Sequence, residues 1–169
     1  MSALAAYVLA AILSWSPVAV HASYEHASAT EARLTSIAVD IADVAATEPP
    51  LFAGDDGRAR TAILLAAVAS YESGRFDGRV QSCERRGDHG HALGLWQVHA
   101  SWAESCTTVR EAARVALGRM RESFAACLPT GAPALAAYAS GDCRHGWLAA
   151  GRRWERAAEW MKTHPVGAP

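Results

Sequence analysis

The sequence predicts a mainly α protein with minimal β structure, assembled around one central buried helix. Three observations predict it. The run Ile63-Leu64-Leu65-Ala66-Ala67-Val68-Ala69 is apolar on every face of a helix, so other elements must enclose it. Two further stretches, around Leu34 to Ile41 and Val109 to Phe124, repeat apolar residues at helical spacing. Between Ser73 and Ser105 the pattern dissolves into Gly, His, Arg and short apolar pieces, which reads as loops with room for a small β-hairpin.

Along the chain, Ala3 to Leu13 is an uninterrupted apolar run followed by Ser14, Trp15, Ser16 and Pro17. It reads as a signal peptide with a small-x-small site at Val20-His21-Ala22, although Lys and Arg are missing ahead of it. An uncleaved anchor is the alternative; the run is short for a membrane span. Thr30 can cap a helix to about Thr47 on which Leu34, Ile37, Ala38 and Ile41 share a face, and Pro49-Pro50 stops it. The turn Gly54-Asp55-Asp56-Gly57 leads into the central helix, Ala59 to Glu72. Thr108-Val109-Arg110-Glu111 is a capping box for a helix carrying Ala112, Ala113, Ala116, Leu117, Met120 and Phe124 on one stripe. Pro133 opens a short helix ending near Gly141, and Trp147, Ala150, Trp154, Ala157 and Met161 mark the last one. The expected division is a leader or anchor over 1–22, a helical extension over 23–57 and the main domain over 58–163.

A length of 169 residues suits one core with an extension. The net charge of −1 gives no general attraction to nucleic acid, but it is unevenly spread. One Arg faces seven acids up to Gly57, whereas fifteen Arg or Lys face ten acids beyond it, a balance that would suit an anionic polymer. Cys83, Cys106, Cys127 and Cys143 include no CxxC pair, and an even count in a small chain implies disulfides and an exported protein. Of the three possible pairings, Cys83 with Cys106 and Cys127 with Cys143 close local loops.

Glu72 ends the most hydrophobic helix, on the face of Leu65 and Val68. Burial and the negative end of the helix dipole should both raise its pKa, giving an acid able to protonate a glycosidic oxygen near neutral pH. The plainer alternative is a helix-end Glu turned to solvent or paired with Arg75 or Arg79. Asp77, Asp88 and Asp142 are the remaining carboxylates worth weighing as partners, and none is an obvious one. Asp88-His89-Gly90-His91 and His99, with Cys83 and Cys106, raise a zinc alternative, but the spacing is not that of a zinc site. Trp96, Trp102, Trp147, Trp154 and Trp160 could stack on sugars, although most should be core; Trp96 is the groove candidate.

The run Glu72-Ser73-Gly74-Arg75-Phe76-Asp77, then Gly94-Leu95-Trp96-Gln97, then Ala136-Ala137-Tyr138-Ala139-Ser140-Gly141 resembles the lytic transglycosylases of the lysozyme-like superfamily. In that family a Glu-Ser-Gly-x-Phe-Asp segment ends the central helix, a Gly-Leu-x-Gln turn follows, and an Ala-Tyr-Asn-Ala-Gly segment comes later. The resemblance extends from about Arg58 to Trp160. It implies a lysozyme-like fold and cleavage of the peptidoglycan MurNAc-GlcNAc β-1,4 bond with 1,6-anhydro products. Glu72 would act as acid and then base, Ser73 would support the site, and Gln97 and Tyr138, with Trp96, would line the glycan groove. Gly74 and Gly94 would permit tight turns. Ala139 and Ser140 stand where the family usually has Asn and Ala, so an amide is missing. No cofactor or metal is expected. The expected partners are peptidoglycan glycan strands and, by analogy with small exported family members, an envelope-spanning secretion machine. A monomer, periplasmic or secreted, is expected. Hydrolysis of muramidase type, and a catalytically silent peptidoglycan binder, are the alternatives.

Overall fold

A computed structural model describes residues 1–99 and 106–165; Trp102 lies outside them. The described chain is mainly helical, with one two-stranded sheet. The apolar N-terminal run forms α1 (Ala3–Trp15), capped by Ser2 Oγ, which accepts from Ala5 N–H at 3.2 Å. Val8, Ala11 and Ile12 of α1 are completely buried. Among the described residues no helix is long and apolar enough to cross a membrane. A 3₁₀ turn over Val18–His21 then leads to α2 (Ala27–Thr47).

Helix α2 begins earlier than expected, and Thr30 lies inside it rather than capping it. Buried Thr30 donates instead to Glu25 Oε2 at 2.9 Å. Leu34, Ile37, Ala38 and Ile41 form its buried face as expected. The central helix is α3 (Gly57–Glu72), buried without a break from Thr61 to Ser70. It touches α1, α2, α5 and α7, which accounts for an apolar pattern with no preferred side. Each fully buried Leu or Ile there contributes about 2 kcal/mol relative to exposure. Gly57 is needed at its start, since a Cβ would sit 2.2 Å from the Phe52 carbonyl oxygen.

After α3 come α4 (Gly78–Gln81) and a hairpin of β1 (Ala92–Leu93) and β2 (Val98–His99), with Leu93 opposite Val98. Helix α5 (Val109–Cys127) has the expected capping box and buries Ala112, Ala113, Ala116, Leu117, Met120 and Phe124. Then follow α6 (Ala136–Ser140) and α7 (Trp147–Thr163). The expected apolar stripe of α7 holds at Ala150, Trp154, Ala157 and Met161, which are buried or packed against the core, but not at Trp147. Ala150, Arg153, Ala157 and Trp160 face inward, whereas Trp147 is exposed and donates its indole N–H to the Cys143 carbonyl at 2.9 Å. Both expected disulfides, Cys83–Cys106 and Cys127–Cys143, are present. One apolar cluster draws on α1, α2, α3, α5 and α7, so the segments expected as leader and extension share the core of the rest.

Candidate active site

Glu72 is the last residue of α3, and the chain leaves it through three successive left-handed residues, Gly74 (φ 63°), Arg75 (φ 70°) and Phe76 (φ 60°). Glycine adopts this conformation freely. For Arg75 and Phe76 it costs on the order of 1 kcal/mol each, so the surroundings must hold the loop. Arg75 N–H closes on the Ser70 carbonyl at 2.8 Å. Ser73 Oγ donates to the Ala69 carbonyl at 2.6 Å and accepts from Phe76 N–H at 2.8 Å, and the Phe76 ring is completely buried. Ser73 thus has its hydroxyl committed to holding the loop, and the residue also borders the larger of the two cavities at Glu72. Asp77 caps α4 through Arg79 N–H and pairs with Arg79 and Arg85.

The Glu72 side chain is 16% exposed. From α7, Arg153 Nε donates to Glu72 Oε1 at 2.8 Å, and its Nη2 contacts the same oxygen. Arg153 is itself fixed, with Nη1 donating to the Ala149 carbonyl at 2.8 Å and its guanidinium over the Tyr71 ring. Among the described residues Glu72 Oε2 accepts no hydrogen bond. Burial raises the Glu72 pKa above the usual carboxylate range, and the Arg153 charge and hydrogen bonds oppose the rise without cancelling it. Arg153 was missed in the sequence, yet it left a signal. It occupies the same helical stripe as Ala150, Ala157 and Trp160, and a guanidinium in a buried stripe requires an acid.

Two cavities meet at Glu72. One, of about 380 Å³, is lined by Tyr71, Glu72, Gly74, Arg85, Arg86 and Gln97, among others. The other, of about 160 Å³, is lined by Glu72, Gln97, Tyr138, Ala139 and Arg153, among others. Gln97 has φ 48°, and its Nε2 donates to the carbonyl of Gly94 (φ 66°) at 2.9 Å. It presses on Gly87, where a Cβ would fall 2.1 Å from Gln97 Oε1. Tyr138 OH donates to the Trp96 carbonyl at 3.1 Å, and Tyr138 N–H donates to Ser123 Oγ at 3.0 Å. Burial first, and the Glu72 charge second, push the Tyr138 phenol up, so it stays a neutral donor beside the carboxyl.

The structure therefore brings Glu72, Gln97 and Tyr138 together from the three motifs. The expectation that Trp96 offers its ring to a sugar is not met. Trp96 is 1% exposed and its indole N–H donates to the Leu65 carbonyl at 3.0 Å, so the ring packs in the core, while the residue borders the smaller cavity and its carbonyl accepts from Tyr138 OH. Compared with family models, curated proteins and solved structures, this chain matches none.

The other candidate carboxylates stand apart from these cavities. Asp77 serves α4, Asp88 lies 3.8 Å from His99, and Asp142 accepts from the backbone N–H groups of Arg144 and His145 and contacts the His145 ring. Those His145 contacts hold the exposed Asp142 carboxyl down at about 2. Neither cavity is lined by a carboxylate other than Glu72 among the described residues. Ala139 lines the smaller cavity with no polar side-chain atom, Ser140 turns its hydroxyl to the Ala136 and Asp142 carbonyls, and the side-chain amide that borders this cavity is that of Gln97. Cys83 and Cys106 are bonded to each other, which removes both thiolates from any zinc set.

Proposed function

We propose that this protein is a glycan-cleaving enzyme of lytic transglycosylase type, with a lysozyme-like fold, acting on peptidoglycan strands in the periplasm or outside the cell. The observation that carries the reading is Glu72: a carboxyl of raised pKa at the end of a buried helix, with one oxygen held by Arg153 and the other accepting no hydrogen bond among the described residues, at the junction of two cavities. Such a group can protonate the glycosidic oxygen as the bond to the leaving sugar breaks. The resulting carboxylate then takes the proton of the muramoyl 6-hydroxyl as that oxygen attacks the anomeric carbon, closing a 1,6-anhydro ring. In this reading Gln97 and Tyr138, which line the cavities with Glu72, contact the sugar, and Arg153 orients the carboxyl and steadies its ionised form. A double-carboxylate glycosidase needs a second acid across the scissile bond, and the cavity linings supply none among the described residues.

The two disulfides support an oxidising compartment. The Glu72 contact with Arg153 also suits a second reading, a silent peptidoglycan binder in which the pair is structural. Mass spectrometry of fragments released from purified peptidoglycan by the oxidised full chain separates these readings. The 1,6-anhydro ends are the expected outcome. Reducing ends would replace the proposal with a muramidase, and binding without soluble fragments would replace it with the silent binder.

A further inference from the structure

The N-terminal segment reaches both elements that carry the Glu72 and Arg153 pair. On the Glu72 side, Ser16 Oγ donates to the Arg75 carbonyl at 2.7 Å. Its hydrogen being used there, Ser16 accepts from His21 Nε2–H at 2.8 Å, which leaves His21 Nδ1 to accept from the Tyr24 hydroxyl at 2.7 Å. Ser16 and His21 are 0% and 1% exposed, so the chain of hydrogen bonds is internal as far as His21 and reaches the surface at Tyr24. The next carbonyl, that of Phe76, accepts from Arg33 Nη1 at 2.9 Å, and Arg33 is fixed by Glu25. On the Arg153 side, Trp15 meets Trp160 of α7 edge to face at 6.0 Å, and Tyr7 OH donates to the His164 carbonyl at 2.6 Å. Arg156, one turn from Arg153, lies beside Trp15 and donates to Ser70 Oγ of α3 at 2.6 Å.

A strained loop persists only where its surroundings over-determine it. Here the two non-glycine left-handed residues after Glu72 have their carbonyls held by donors from ahead of residue 34. We infer that Ser16, with His21 and Tyr24 behind it, is a positioning residue that sets the geometry of Glu72, and that α1 is a working part of the site rather than a detachable leader. Cleavage after Ala22 would take Ser16 and His21 away with it. The inference rests on the reading of Glu72 as the acid, and its test has one arm independent of that reading.

The test compares the oxidised full chain with Ser16→Ala and Ser16→Thr. Steady-state cleavage of soluble glycan strands is one readout, and the ¹³C carboxyl titration of Glu72 is the other. Ser16→Ala is expected to lower kcat roughly fivefold to tenfold with KM nearly unchanged, as a small misplacement of the acid would. It is also expected to move the Glu72 titration midpoint, and Ser16→Thr, which restores the hydroxyl, is expected to recover both. Wild-type kcat and midpoint in a folded Ser16→Ala protein would overturn the inference, as would equal impairment of both variants. If the wild type cleaves nothing, the proposed function fails, and the titration midpoint alone decides the brace. Should Ser16→Ala not fold, Tyr24→Phe removes the outermost hydroxyl of the same chain; an unchanged midpoint in it would overturn the inference.

Discussion

At Glu72 burial and a guanidinium pull in opposite directions, and burial prevails. Because the folded-state value lies above the unfolded one, ionising Glu72 works against folding. Its contribution to stability is complete below the unfolded value and declines as pH rises through the folded one. Replacing Arg153 by Met removes the charge that favours the carboxylate while leaving the burial. The carboxyl of Arg153→Met should stay protonated to higher pH, and the alkaline limb of its pH–rate profile should move upward. A limb that stays in place or moves down would mean that Arg153 does not govern the acid. Glu72 stood out in the sequence as a carboxylate ending an all-apolar helix, and it is found at the edge of the core, paired with Arg153 and not with Arg75 or Arg79. Arg153 was harder to read because its charge suggested a solvent face, although its spacing from Ala150 and Ala157 placed it inward. The role of Trp96 was misread for a related reason: sequence position near a motif does not say whether a ring faces a groove or the core.

Among the elements, the clearest readings were those with a local physical cause. The capping box from Thr108 to Glu111 starts α5 where expected, and the short loop between Cys127 and Cys143 closes as its length favours. That bridge ties the end of α5 to the segment after α6, which carries Tyr138. Removing it as C127S/C143S should cost about 3 kcal/mol by freeing a loop of 16 residues in the unfolded chain, measured by urea unfolding. A loss below about 1 kcal/mol would show that other contacts already hold the loop in the unfolded ensemble. The start of α2 was read too late because Thr30 has a capping residue's chemistry, while its hydroxyl serves Glu25 instead. Helix α1 was read as a leader because an apolar run has the same composition whether it is exported or buried. In the full chain the same run packs against α2 and α3.

At the scale of the whole molecule, the architecture follows from one fact of composition: α3 has no polar face between Thr61 and Ser70, so it must be surrounded. That fact predicts a helical assembly with a central rod, but not which helices form the sheath, because side-chain pattern fixes a face and not its partner. The same rod delivers Glu72 to the edge of the core, where the loop after α3, the hairpin and α6 converge and two cavities open. Burial of the rod, the raised acid and the open cleft are therefore linked consequences of a single helix. The central claim is that Glu72 is the proton-transferring group, and its most direct test is the rate at which labelled peptidoglycan is solubilised by the oxidised wild type and by Glu72→Gln. Circular dichroism and thiol titration would confirm equal folding of the two. The account predicts a fall of at least about a hundredfold in the variant, the usual size of a general acid's contribution; a folded Glu72→Gln protein that solubilises peptidoglycan at the wild-type rate would contradict it.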